Sequence, residues 1–238
     1  MNTGIGKKTF VTGLLAISVS LCFLQGCVSR QPYLRQEALA KQRLNESILV
    51  FPPLTSNSRY NSIVKDLGKY YNVEIPKRMK GHVIYAANIQ EISHIDNVAA
   101  WNNLVKNGSV NVGEAAAIGK TVGAKSVLTC QIMEINQYPP FRMVVQLEWI
   151  DADTATVIGS LYQDIDLADS ETNYRYKNFV GGGLAAQAYE QIFYSEDKYQ
   201  TAYLMPQEFY RFVAAYSCEV LFHMTDEYPW WWFWRTVG

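Results

Sequence analysis

Apolar residues recur along this chain in three distinct rhythms. Thr9 to Leu24 is an almost unbroken apolar or small-residue run. Further on, short runs bounded by turn residues predict strands. Ser47 to Leu54, "SILVFPPL", has four apolar residues in a row and reads as a strand buried on both faces, ended by Pro52-Pro53. "HVIYAANI", His82 to Ile89, and "AKSVLTCQIMEI", Ala124 to Ile135, read as two more strands. Met143 to Ile150 and Thr156 to Ile165 alternate with period two around Asp151-Ala152-Asp153-Thr154, a turn composition, and predict a hairpin.

Helical spacing fills the gaps. Ile63, Leu67, Tyr70 and Tyr71 predict a helix within Asn57 to Lys80, with a break at Pro76. Ser93 to Val105 reads as a helix capped by Ser93, with Asp96 in its first turn. Asn111 to Val122 carries the fullest signature. Asn111 is a cap, Glu114 follows three residues on, and Gly123 is a stop. Its stripe of Ala115, Ile118, Gly119 and Val122 permits close packing on a sheet. Helical patterns return after Gly181-Gly182-Gly183 and again from Pro206, where Phe209, Phe212, Val213, Tyr216 and Val220 form one face. The order predicts an α/β sandwich, a mixed β-sheet packed with helices, followed by a C-terminal helical extension and a Trp-rich tail.

The first apolar run changes the picture most. About 16 residues are short for a bilayer span, which needs roughly 20. Lys7 and Lys8 before the run and a small residue at its end describe a secretory signal peptide. Leu24-Gln25-Gly26-Cys27 resembles the lipobox of bacterial lipoproteins. That resemblance implies cleavage between Gly26 and Cys27 and acylation of Cys27, with Cys22 discarded. Val28 follows in place of Asp, and in enterobacteria this resembles outer-membrane sorting with the folded part in the periplasm. The plainer reading is an uncut anchor helix with Cys27 as an ordinary thiol.

Removing residues 1 to 26 takes away Lys7 and Lys8 and no acidic residue. It leaves 212 residues with 19 basic and 22 acidic side chains, a formal charge of −3. Such a balance gives nucleic-acid binding no electrostatic support. Segment 27–46 is polar and irregular apart from "RQEALAKQRL", and reads as a lipidated tether. Segment 47–170 reads as the α/β domain and 171–238 as helices and aromatic tail.

"ILVFPPL", a helix running into "AIGKTVGAKSVLTCQI", and a hairpin around "WIDADTATVIGS" occur in that order after the lipobox. Together they resemble the superfamily of bacterial outer-membrane lipoproteins that includes CsgG, PelC and LpoB. There a "GA-x-x-VL-x-G" strand and a "D-x-x-T-G" hairpin recur. Cys130 and Ala155 stand where that pattern usually has Gly. The long amphipathic strand pair with which CsgG builds a barrel has no counterpart. The resemblance covers residues 47 to 166. It implies a non-enzymatic, oligomeric assembly component of an envelope export or secretion apparatus, working with other envelope proteins. The alternative it allows is a regulator that activates a peptidoglycan synthase, which favours a long tether.

Candidate chemistry is sparse. His82, His94 and His223 are isolated from one another, and neither a CxxC pair nor a Cys/His cluster occurs, so no metal or cofactor is expected. Cys130 and Cys218 fit either a disulfide or two buried thiols. The glycine run lacks the G-x-x-x-x-G-K pattern of a phosphate loop and reads as a helix opening. No serine lies in G-x-S-x-G, and no catalytic set assembles. Asp151, Asp153, Asp164 and Asp166 line the hairpin, either as turn and surface residues or as an acidic rim facing a partner; PelC is similar in having an acidic funnel. Trp230, Trp231, Trp232, Phe233 and Trp234 are contiguous, with Arg235 beyond. Consecutive residues face every direction, so one core can hardly bury them all. A membrane interface, a protein partner and partial burial all remain open.

Overall fold

The computed structural model describes residues 33–55, 57–86, 104, 110–181 and 204–223. Among these residues are seven strands in one sheet and five α-helices. The strands are β1 (Tyr33–Leu34), β2 (Ile48–Val50), β3 (Leu54–Thr55), β4 (Val83–Tyr85), β5 (Ser126–Asn136), β6 (Arg142–Asp151) and β7 (Thr156–Asp166). The helices are α1 (Glu37–Arg43), α2 (Asn61–Arg78), α3 (Val112–Thr121), α4 (Ser170–Val180) and α5 (Pro206–His223).

The order across the sheet is β1-β7-β6-β5-β2-β4, with β3 pairing β5 further along. β2 runs parallel to β4 and β5, and β5, β6, β7 and β1 are antiparallel in turn. The fold is therefore α/β with a mixed sheet. The hairpin expected around Asp151–Thr154 is β6–β7. Its period-two alternation places Met143, Val145, Leu147 and Trp149 in one buried core together with α2, α4 and α5. By the same alternation Ile150 faces the opposite core, beneath α3.

Asn111 caps α3 as its sequence predicts, accepting from the backbone N–H groups of Gly113 and Glu114. Gly119 lets the helix lie flat on β5: a Cβ there would stand 2.5 Å from Val127 Cγ2. Gly123 ends the element with φ of 75°.

Two expectations are corrected, and two elements are added to. Pro76 does not break α2, which continues to Arg78. Proline removes the N–H that would bond the Asn72 carbonyl. Here the Tyr85 hydroxyl donates to that carbonyl instead, at 2.8 Å. A further helix, α4, precedes the glycine run: Asp169 caps its start, its carboxylate accepting the Thr172 N–H at 2.8 Å, and Gly181 caps its end. The polar stretch read as tether folds from Tyr33 onward. β1 pairs with β7, and Ala40 of α1 is fully buried in the larger core. The expected C-terminal helix is present as α5 and packs on the domain. Beyond Phe209, Phe212 and Val213 it also buries Ala214, Ser217, Cys218 and Leu221, because it packs against both α2 and α4 as well as the sheet. Ser93–Val105, apart from Leu104, and residues 182–203 lie outside the described residues.

Ala155, in the β6–β7 turn, has φ of 53° and is the one non-glycine residue with positive φ among the described residues. This is the position where the hairpin pattern usually has glycine. A left-handed non-glycine residue costs roughly 1–2 kcal/mol, while glycine adds about 0.4–1 kcal/mol of unfolded-state entropy. Ala155→Gly is therefore expected to stabilise the domain by roughly 0.5–1 kcal/mol in urea unfolding. A lower urea midpoint would show that the turn is unstrained.

Candidate functional site

The four aspartates of the hairpin do not form one rim. Antiparallel pairing sets Asp151 opposite Thr156 and Arg142 opposite Asp166. Asp151 and Asp153 therefore lie at the turn, and Asp164 and Asp166 near the open end, about 30 Å away at strand rise.

At the turn, Asp151 has no exposed surface. Its Oδ1 accepts the N–H groups of Asp153 and Thr154 at 2.7 and 3.1 Å, which shapes the turn. Its Oδ2 accepts from Arg43 Nε and Nη2 at 3.1 and 2.9 Å. Arg43 also bonds Asp153 Oδ2 at 2.9 Å and pairs with Glu46, and Lys125 lies 3.4 Å from Asp153. Asp151 is thus a structural anchor for α1, closed to any partner.

At the open end, Arg142 meets Asp164 through two bonds of 2.9 and 2.8 Å, Glu134 at 2.9 Å and Asp166 at 3.9 Å. The hydrogen bonds to Asp164 hold the guanidinium pKa well above its ordinary value. These side chains are partly to largely exposed, so this is the part of the expected rim still open to a partner. Arg142 was missed: the turn alone would set it opposite Ile165, and the register shift between Trp149 and Ile150 moves it opposite Asp166. Arg43 was missed too, since its partner lies 108 residues away.

Cys130 on β5 and Cys218 on α5 are both buried free thiols. Near them the Tyr71 and Ser217 hydroxyls are 2.8 Å apart. Ser217 Oγ donates to the Val213 carbonyl at 2.6 Å, so Tyr71 is the donor to Ser217. Burial pushes the Cys130 thiol up to about 12 and raises Cys218 as well. Reactivity requires the thiolate.

The lipobox with Gly26 and Cys27, and the tail with Trp230 to Trp234 and Arg235, lie outside the described residues, as do His94 and Gly182-Gly183. Among the described residues, no group of three or more His, Cys, Asp or Glu is placed to hold a metal ion. No described helix is long and apolar enough to cross a membrane.

No established family profile matches the chain, and no curated protein matches it. Solved structures similar to it include a PelC dodecamer from Paraburkholderia phytofirmans, with 12% identity over 52% of this chain and 72% of that one and a TM-score of 0.35. Lipoprotein GNA1162 from Neisseria meningitidis is 17% identical over 63% of this chain and 98% of that one, with a TM-score of 0.36. The LpoB C-terminal domain from Escherichia coli is 14% identical over 55% and 94%, with a TM-score of 0.34. What those proteins bind or assemble with stays with them.

Two outcomes are expected. Removing one partner of the buried pair strands the other, so Arg43→Met should cost about 3–5 kcal/mol. The double variant Arg43→Met/Asp151→Asn should recover part of that loss in urea unfolding; strictly additive losses would mean the pair is uncoupled. Second, burial disfavours the Cys130 thiolate in the folded state. A disulfide-exchange reagent should label neither thiol in native protein and both after unfolding. Rapid native labelling would contradict the burial.

Proposed function

We propose that this chain is an outer-membrane-anchored periplasmic lipoprotein, acting as a non-enzymatic, oligomeric assembly component of an envelope export or secretion apparatus. The observation that carries this reading is the spacing between Cys27 and the fold. The first described strand, β1, begins at Tyr33, six residues on. Fully extended, six residues reach at most about 20 Å. Once acylated at Cys27, the chain therefore holds its domain close against the bilayer, where a scaffold belongs. An activator working on a synthase deep in the periplasm needs a longer lead. The 19-residue tether expected from sequence would have given roughly 25 Å of flexible reach; six residues give roughly 13 Å, about half.

The non-enzymatic part rests on the character of the polar groups. Arg43 neutralises Asp151, Arg142 ties Asp164 to Glu134, and both thiols are buried. The Trp230–Trp234 cluster fits contact with the membrane interface, where indole rings sit with their N–H groups hydrated.

Mass spectrometry and mass photometry of the detergent-solubilised protein test the reading together. The expected results are an acylated Cys27 at the N-terminus and particles at a fixed multiple of the protomer mass. An unmodified Cys27 would remove the anchor. Acylated protein that stays monomeric over a wide concentration range would remove the assembly role and leave the regulator.

A further inference from the structure

Both ends of the domain leave it at one corner. At the N-terminal side, β1 is the edge strand of the sheet, and Tyr33 and Leu34 pair with Ser160 and Gly159 of β7. At the C-terminal side, the last turn of α5 carries Leu221 and Phe222. Gly159 is where the two meet. A Cβ placed on it would stand 3.2 Å from Leu34 Cδ2, 3.6 Å from Leu221 Cδ1 and 3.7 Å from Trp149 Cε3. The absence of a side chain at Gly159 lets β1 and the end of α5 close over the same point. Phe222 seals it with an edge-on contact to the Trp149 ring, centroids 5.4 Å apart.

We infer that this corner, built from β1, Gly159 and the end of α5, is the surface the domain turns toward a lipid bilayer. The inference rests on the lipid-anchored reading and adds an orientation to it. Cys27 is six residues before Tyr33, and Trp230 is seven residues after His223. Extended chain lengths of about 20 and 25 Å bound both reaches, whatever path the segments take. An acyl anchor and an aromatic cluster issuing from one corner can engage the same membrane at once, and each raises the local concentration of the other at the surface. Termini at opposite poles of the domain would not permit this with leads so short.

The corner has side chains suited to the role. Tyr33 is 61% exposed, a ring with a polar tip beside the point of anchorage. Arg35 is exposed two residues on, placed to meet lipid phosphates, while its own N–H is fixed to the Ile158 carbonyl at 3.0 Å. Leu34, between them, points into the core. The opposite edge of the sheet, β4, lies five strand spacings away, about 24 Å. It faces away from the membrane in this orientation.

The full-length acylated protein tests this in phosphatidylethanolamine/phosphatidylglycerol vesicles doped with a headgroup-nitroxide lipid. A fluorophore is attached at Arg35→Cys or, as the distant control, at Val73→Cys. Val73 is 55% exposed on α2, next to Asn72, which the edge-strand residue Tyr85 contacts. Quenching at position 35 is expected to exceed that at 73 at least threefold. Deleting residues 229–238 should cut that ratio at least by half, because one attachment then lets the domain swing. Equal or reversed quenching in acylated, vesicle-bound protein would overturn the orientation and leave the anchor intact. An unchanged ratio after truncation would overturn the part assigned to the tail. Failure of Cys27 to acylate would overturn the lipoprotein reading, and the inference with it.

Discussion

A carboxylate with no exposed surface at the turn of the central hairpin needs a cation brought to it, and the rest of the N-terminal architecture follows from that need. Arg43 is the cation, and α1 carries it. To place its guanidinium against Asp151, α1 must lie on the domain and bury Ala40, and the chain before it must run along β7 as β1. A buried ion pair of this kind adds little net stability over an apolar pair, but it discriminates strongly against arrangements that leave one charge alone. Its effect here is to fix position: the point where the chain joins the fold is set at Tyr33.

The same meander carries a second arginine whose role differs because its surroundings differ. Arg142 faces solvent among three carboxylates, where the interactions are screened and individually weak. The two clusters show why acidic residues close in sequence were a poor guide to a site. A hairpin sends the residues of its two arms toward opposite ends, and each end then recruits its own counter-charge.

Much of the fold was legible in the sequence because the signals were local. Asn111, the small-residue stripe of α3 and Gly123 specified a helix and its packing face within thirteen residues. The alternation of β6 and β7 specified the hairpin, but not the register shift that brings Arg142 opposite Asp166. What escaped depends on distant partners. Arg43 is one more polar residue until Asp151 is placed beside it, and Pro76 is a break until Tyr85 arrives to satisfy the carbonyl it frees. The extra buried positions of α5 were hidden for the same reason, since a helix flanked by α2 and α4 has more than one covered side. Of the expected site residues, the aspartates are placed and divided between two clusters, while Cys27 and the tryptophans remain a matter of sequence.

The hydroxyl of Tyr85 on the Asn72 carbonyl carries a further consequence. Edge strands are the part of a sheet most prone to peel away, and β4 is short, with three residues. Here, detaching β4 would also exchange the Tyr85 bond to a helix carbonyl for one from water, because proline can supply none. A short edge strand and the C-terminal part of α2 are thereby tied by one hydrogen bond. A residue that ordinarily interrupts a helix has been converted into a fastener for the margin of the sheet.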